Sequence, residues 1–252
     1  MALLTIMGGI HTYDVKELSQ DKPTTVLLPK GDLVFPLSQH IGAPAKPLVS
    51  KGDQVLVGQK IAEADGLISA NIISSVSGTV KTIEKRLTAA GNMVDSIIIT
   101  NDNEYKKIDG FGQDRDYRNM SETDIREVVK EAGIVGLGGG GFPTHVKITP
   151  KDSSKIDYVI VNGAETEPYL SMDYRLMLEE PDKIVQGLKI MLRLFGNAKG
   201  VIAIEDNKQE AISKLKELTA GEANIEIVTL KSKYPQGEEG QLIYTITGRK
   251  LN

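Results

Sequence analysis

From residue 121 onward the apolar positions alternate between two rhythms. Tyr158–Val161, Val201–Ile204 and Ile225–Leu230 are short β-type runs of the kind that form buried strands. Asp182–Leu194 and Lys208–Leu218 lie among them and carry apolar residues at helical spacing. An earlier helix is expected after Ser121, an N-cap followed by Glu122 and Asp124 in the first turn and then by Ile125, Val128 and Val129. Gly133 is its natural stop. The alternation predicts an α/β domain with a largely parallel sheet, whose ligands bind at the carboxyl ends of the strands.

Residues 1–118 read differently. They show no long helical pattern, and Gly and Pro interrupt them throughout, from Pro23, Pro29 and Gly31 to Gly78 and Gly91. Short β-type runs sit between these breaks at Thr25–Leu28, Gln54–Val57, Leu67–Ile73, Gly78–Ile83 and Ser96–Thr100, which predicts a small all-β module. The segment 101–120 is polar and turn-rich. The boundary is placed there, giving a module over 1–118 and a second domain over 119–252.

Composition narrows the chemistry. The chain has 252 residues, and its hydrophobic fraction of 40% is enough for a real core, which excludes wholesale disorder. Thirty basic against 34 acidic side chains leave a net charge of −4, and there is no Trp and only four Phe. Both facts argue against a nucleic-acid binder. No apolar run approaches the roughly 18 residues of a membrane span. The start, MALLTIMGGIHTYD, has neither a basic n-region nor a signal-type cleavage site, so a cytoplasmic or peripheral protein is expected. With no cysteine, the chain has no thiol nucleophile, disulfide or cysteine-ligated iron–sulfur cluster of its own. His11, His40 and His145 form no HxxxH pair; they are expected to be surface or satisfied groups, and no metal site is predicted.

Three motifs carry the candidate chemistry. Gly136-Leu137-Gly138-Gly139-Gly140-Gly141-Phe142-Pro143-Thr144 lets backbone N–H groups approach an anion without Cβ obstruction. Pro143 can open a helix whose N-terminus favours a phosphate, with Lys147 four residues on. The Walker pattern is absent, and a helix rather than a strand precedes the loop, so the strict dinucleotide fingerprint fails. The second motif, Val161-Asn162-Gly163-Ala164-Glu165-Thr166-Glu167-Pro168, follows a predicted buried strand. The third, Tyr234-Pro235-Gln236-Gly237-Glu238-Glu239-Gly240-Gln241, follows the last strand. Amides and carboxylates at strand ends can bond a polar heterocycle or a ribose; each motif taken alone also reads as an exposed turn.

In the N-terminal half, Gly52-Asp53-Gln54-Val55-Leu56-Val57-Gly58-Gln59 followed by Ser77-Gly78-Thr79-Val80 resembles the barrel-sandwich pattern of lipoyl and biotinyl domains. A carrier domain needs a lysine on the intervening hairpin, and none lies between Lys60 and Lys81, so a structural or docking module is expected rather than a swinging arm. The order G-x-G-G-x-G-F-P-T-x-x-K, N-x-x-E-x-E-P, G-E-E resembles the flavin-binding domain of the NADH-oxidising flavoprotein subunit of respiratory complex I. With Gly8-Gly9-Ile10-His11, Gln39-His40-Ile41-Gly42-Ala43-Pro44-Ala45-Lys46-Pro47 and the barrel-sandwich motif, the chain is similar to C subunits of the Rnf electron-transport complex.

The resemblance implies a barrel-sandwich segment ahead of a Rossmann-like α/β FMN-binding domain. It implies a peripheral subunit at the cytoplasmic face of an ion-translocating ferredoxin:NAD oxidoreductase, partnered by the other Rnf subunits and indirectly by ferredoxin. Gly136, Gly138, Gly139, Lys147, Asn162, Glu165, Thr166, Gly237 and Glu238 would hold FMN. Phe142, Glu167 and Glu239 would face NADH, the substrate; the resemblance designates no catalytic side chain in this chain. Ala164 stands where the complex I motif has an aspartate, so one flavin contact is lost or moved. The family continues beyond the G-E-E motif into a segment whose cysteines hold 4Fe–4S clusters, so the chain reads as the N-terminal part of such a subunit. Two other readings are a flavoprotein like the cobalamin reductases of bacterial microcompartments, which share the GGxGFPT and NGAE patterns, and a docking module with a vestigial flavin site.

Overall fold

The computed structural model describes residues 3–250. Two compact units emerge, and they interleave along the sequence: Leu27–Lys151 form one, and Met1–Val26 join Asp152–Asn252 in the other. The breaks by compactness therefore differ from the sequence boundary at 118. The first 26 residues lie with the C-terminal half, and the helix and glycine loop after residue 121 lie with the β module.

The unit Leu27–Lys151 contains two antiparallel sheets. One has the order β1-β7-β6-β3, from β1 (Asp32–Pro36), β3 (Gln54–Val55), β6 (Gly78–Leu87) and β7 (Met93–Asn101). The other has the order β2-β4-β5, from β2 (Lys46–Pro47), β4 (Lys60–Glu63) and β5 (Ile72–Ile73). Phe35, Val55, Val80, Ile97 and Ile99 of the first sheet and Ile61 and Ile72 of the second share one buried cluster. Each fully buried Ile or Val contributes roughly 1.5–3 kcal/mol. Thr25–Leu28 is not a strand: Val26 and Leu27 are about 90% exposed and have no pairing partner among the described residues. The run at Leu67–Ile73 shortens to β5, and β1, β2 and β4 are strands beyond those predicted.

Helix α1 (Glu122–Glu131) opens as expected, with a full capping box. Ser121 Oγ accepts the Asp124 N–H, and the Asp124 carboxylate accepts the Ser121 N–H, both at 3.1 Å. Gly133 follows it at φ +63°, and a Cβ there would lie 2.3 Å from the Asn71 carbonyl oxygen. Asn71 Nδ2 in turn donates to Lys130 O at 3.2 Å, and Lys60 pairs with Glu131 at 2.7 Å. These bonds carry α1 into the β module's unit.

In the other unit β8 (Tyr158–Gly163), β9 (Lys199–Glu205) and β10 (Ile225–Leu230) form a parallel sheet in the order β10-β9-β8. Six of the seven residues of the central strand β9 are buried. Helices α3 (Met172–Glu179), α4 (Pro181–Leu194) and α5 (Gln209–Leu218) follow the strands, and α6 (Glu239–Thr247) follows β10. The last three strands, α4 and α5 fall where the apolar rhythm predicts them; α3 and α6 do not come from that pattern.

Gly42, in the β module, shows how closely this backbone packs. Its φ is +92°, and a Cβ would lie 2.0 Å from the Ile68 carbonyl oxygen, which already accepts the Ala43 N–H at 2.9 Å. Gly42→Ala is expected to destabilise the protein by about 2 kcal/mol or more. Thermal unfolding checks this; an unchanged melting temperature would contradict the packing described.

Candidate functional site

The three parallel strands end at one edge, and charged groups collect there. Beyond β8 stand Glu165, Thr166 and Glu167; β9 ends at Glu205, with Asn207 and Lys208 after it; beyond β10 come Ser232, Lys233 and Tyr234. These loops, with His11, Thr12, Asp14 and Lys16 from the N-terminal segment, line a polar cavity of about 110 Å³. A parallel sheet presents its ligand crevice at this end.

Two buried ion pairs organise the edge. Lys208 Nζ lies 3.1 Å from Glu205 Oε2, with both side chains 3% exposed, and also donates to Asn207 Oδ1 at 3.1 Å. Lys16 Nζ stands 3.6 Å from Glu165 Oε2, an ion pair beyond hydrogen-bond reach. Glu165 Oε1 accepts the Asp173 N–H at 2.8 Å. Burial pushes the Glu165 carboxyl above its usual range, opposed by the Asp173 amide and by the charges of Lys16 and Lys208. Glu165 Oε2, Ser232 Oγ and Gln236 Nε2 are buried at this edge without a hydrogen bond. Native interiors rarely leave such atoms unmet, so the donor and acceptor set suits a polar ligand.

Asn162 joins the second and third motifs. Its Nδ2 donates to Gly237 O at 2.9 Å, and its Oδ1 accepts the Ala164 N–H at 3.1 Å. Gly237 is tightly held, since a Cβ there would lie 2.6 Å from the Ala164 carbonyl oxygen. Ala164 itself is buried in the cluster with Val201, Ala203, Leu230 and Leu242. A methyl group fits that packing. Glu238 caps α6: its two carboxylate oxygens accept the Gly240 and Gln241 N–H groups at 3.0 and 2.8 Å, and those bonds hold its carboxyl below the usual range. Thr166 is half-buried, and Glu167 and Glu239 are exposed.

The glycine loop belongs to the other unit and has its own geometry. A bridge between Val135 and Pro143 closes it, reinforced by the Gly136 N–H to Phe142 O at 2.9 Å and the Gly141 N–H to Gly136 O at 3.2 Å. Gly141 at φ +57° rests against the chain at Gln39 and His40; a Cβ would come within 3.3 Å of both backbones. His40 is buried and satisfied: Nε2 accepts the Ala70 N–H at 3.2 Å, which leaves Nδ1–H to donate to Ile41 O at 3.0 Å. At the tip, Leu137, Gly138, Gly139 and Gly140 are exposed, and their N–H groups have no acceptor among the described residues. A Cβ at Gly138, Gly139 or Gly140 would meet nothing within 4 Å. The tip is thus an open row of free amides. Phe142 is half-buried and Lys147 exposed. Pro143 caps α2 (Thr144–Lys147), which is only four residues long. The expected helix-end attraction for a phosphate is therefore small, because so few peptide dipoles align.

The structure thus gathers Asn162, Glu165, Thr166, Glu167, Gly237, Glu238 and Glu239 in one unit and Gly136, Gly138, Gly139, Phe142 and Lys147 in the other. Sequence reasoning missed Lys16, Glu205, Lys208 and Gln236. Glu205 and Lys208 were within reach, since they end and follow a predicted parallel strand. Lys16 had no local signal.

Residues 129–252 match the family model of the Nuo51 FMN-binding domain, and residues 4–104 that of the RnfC barrel sandwich hybrid domain. Over 99% of its length the chain is 42% identical to the C subunit of the proton-translocating ferredoxin:NAD(+) oxidoreductase complex of Clostridium ljungdahlii, covering 54% of that protein. Over 98% it is 41% identical to the C subunit of the Na(+)-translocating ferredoxin:NAD(+) oxidoreductase complex of Acetobacterium woodii, covering 56%. Over 99% it is 38% identical to the C subunit of the ion-translocating oxidoreductase complex of Pseudomonas aeruginosa, covering 32%. The chain therefore spans about half the length of the first two relatives and a third of the last. A chain of a NAD+-reducing [NiFe]-hydrogenase aligns over 51% of this chain and 24% of its own at 26% identity, with a TM-score of 0.45, too loose a likeness to bear on function.

The raised Glu165 carboxyl has a consequence for stability. A carboxyl that holds its proton more tightly in the folded chain stabilises fully below the ordinary value of 4.5, and that contribution is lost as the pH rises through the folded value. Melting curves of Glu165→Gln and the wild type are therefore expected to diverge as the pH rises above the ordinary carboxyl value of 4.5, the Gln variant gaining relative to the wild type. Parallel curves would show that burial does not act on this carboxyl.

Proposed function

The chain belongs to the family of ion-translocating oxidoreductase C subunits, and on that basis we propose that it carries the FMN-binding, NAD(H)-reacting part of such a protein. The observation that carries the reading is the glycine loop, an exposed row of free N–H groups cleared of side chains. Gly136, Gly138, Gly139, Lys147, Asn162, Glu165, Thr166, Gly237 and Glu238 are assigned to FMN from the family resemblance. The assignment rests on the order of the motifs, on the loop's open amides and on the unbonded polar atoms at the sheet's carboxyl edge. Phe142, Glu167 and Glu239 are assigned to the nicotinamide nucleotide, as a stacking face and two acceptors for its amide and ribose hydroxyls.

When bound, FMN supplies the exchange between a two-electron hydride donor and one-electron carriers. The residues of this chain bind and orient. Loop amides meet anionic or carbonyl oxygens at no cost in reorganisation. Asn162 holds the second and third motifs at a fixed separation through Gly237. Glu165 is held at the edge by the Lys16 ammonium on one oxygen and the Asp173 N–H on the other. Glu238 serves the site by fixing the start of α6, which sets the position of the neighbouring Glu239.

The same reading keeps 1–118 and 119–252 as the two modules of the sequence, a lipoyl-like barrel sandwich and a Rossmann-like domain. The family matches, which end at 104 and resume at 129, support that division. Other Rnf subunits, and ferredoxin through them, are the proposed partners, with 4Fe–4S clusters carried outside these residues. Peripheral attachment at the cytoplasmic face is proposed from the family resemblance; no described helix is long and apolar enough to cross a membrane.

An FMN titration followed by flavin fluorescence tests the reading. Gly138→Asp suits the test because a Cβ at Gly138 meets nothing, so lost binding reports on the ligand rather than the fold. Saturable binding weakened about tenfold or more in that variant, about 1.4 kcal/mol, is expected. Unchanged affinity would remove the loop from the site. Glu239→Gln is expected to weaken NADH binding several-fold while leaving FMN affinity within about twofold; equal loss of both would overturn its assignment to the nucleotide.

A further inference from the structure

The N-terminal segment is more than a lead-in to the β module. Its backbone pairs with the chain beyond β10: Lys231 N–H donates to Leu4 O, and Ile10 and Tyr234 exchange both of their backbone hydrogen bonds, each at 2.9 Å. Ile6 is buried, and its N–H donates to Oε1 of the fully buried Gln236 at 3.2 Å. Further on, the segment meets the loop beyond β8. The Tyr169 N–H donates to Asp14 O at 2.7 Å, Ser19 Oγ to Tyr169 O at 3.0 Å, and Ser171 Oγ to Ser19 Oγ at 2.7 Å. Thr24 then binds the Glu179 carboxylate through its N–H at 3.0 Å and through its hydroxyl.

Lys16 is the centre of this strap. It is 5% exposed, and its ammonium donates to Glu167 O at 3.0 Å and to Leu170 O while facing Glu165. Both acceptors and the facing carboxylate belong to the segment Glu165–Leu170. Val15, just before it, sits at φ +56°, and Tyr169 at φ +68°. A β-branched residue in that region is held there by its surroundings, and both strained positions flank the contact.

We propose that Lys16 is a positioning residue: its buried ammonium fixes the Glu165–Leu170 segment and faces the Glu165 carboxyl with an opposite charge, so that the strap forms a working wall of the site. The inference rests on the flavin reading for what the wall serves, though not for the strap itself. A charge is needed because a neutral donor satisfies the two carbonyls but leaves the Glu165 carboxylate uncompensated. The other titratable groups that act on Glu165 or share its cavity are Glu205 at the end of β9 and Lys208 after it, Asp173 on α3, Lys233 beyond β10, and Asp14 and His11 of the N-terminal segment.

The test compares the full-length chain with Lys16→Met, Lys16→Gln and Lys16→Arg by amide hydrogen exchange and FMN titration from pH 5.5 to 8.5. Lys16→Met is expected to speed exchange in residues 165–173 tenfold or more while β9 stays protected, and to weaken FMN binding tenfold or more. Lys16→Gln is expected to make FMN affinity fall at the acid end, because Glu165 then protonates more readily. That pH dependence should vanish in Lys16→Gln/Glu165→Gln, and Lys16→Arg should restore the wild-type profile. If Lys16→Met does not fold, Lys16→Gln and Lys16→Arg carry the comparison. Exchange at 165–173 unchanged in both neutral variants, or affinity lost equally at every pH with no rescue by arginine, overturns the proposal. Should the wild type bind no FMN while the neutral variants still release 165–173, the flavin reading fails and the strap stands.

Discussion

A buried positive charge has to be answered inside the fold, and the carboxyl edge of the parallel sheet is arranged around two of them. Lys16 and Lys208 are each almost wholly withdrawn from water, and each faces a buried carboxylate. Removing one member of such a pair leaves the other uncompensated at a cost of roughly 3–5 kcal/mol. The N-terminal segment and the loops beyond β8, β9 and β10 are cross-tied: the Lys16–Glu165 pair and the Ile6 N–H to Gln236 bond join the segment to two of the loops, the Ser232 and Lys233 N–H groups donate to Asp206 and Glu205, and Asn162 bonds Gly237 O. A set of polar groups held this firmly is costly to maintain for stability alone. It suits an edge that must present the same acceptors each time a ligand arrives.

The glycine loop is built on the opposite principle. Its tip spends nothing on internal hydrogen bonds, and its rigidity comes from the base, where Gly136 and Phe142 pair and Gly141 lies flat against the backbone at His40. The segment Gln39–Pro47 thus has a structural task that its sequence alone did not reveal. It supports the loop, with His40 locking it to Ala70. The β module is in that sense a pedestal for the glycines.

Much of this was legible from residues. Ser121, Asp124 and Gly133 marked the two ends of α1, and the apolar rhythm located β8–β10, α4 and α5, because burial on a parallel sheet leaves a strong periodic trace. The β module was harder. Strands of two residues, such as β3 and β5, are held by long-range pairing that no local pattern records, and Thr25–Leu28 has strand-like residues but no partner among the described residues. In the site, the three motifs were visible because glycines and carboxylates cluster in them. Lys16 was not, because its meaning comes from residues about 150 positions away. Glu238 illustrates a different limit: the motif identified the residue, whereas its helix-capping bonds are a property of the backbone that follows.

The interleaving of the two units sets an order on how the chain matures. Leu27–Lys151 have all their partners once residue 151 has been made, whereas the strap's partners at Leu230 and Tyr234 are synthesised more than 200 residues after Leu4. At roughly 5–20 residues per second that is about 10–40 s during which Ile6, buried in the finished fold, has left the ribosome without its cover and the backbone groups of Leu4 and Ile10 lack their partners. The fold thus postpones closure of its candidate site until β10 exists, and the N-terminal strap stays open to chaperones in the interval.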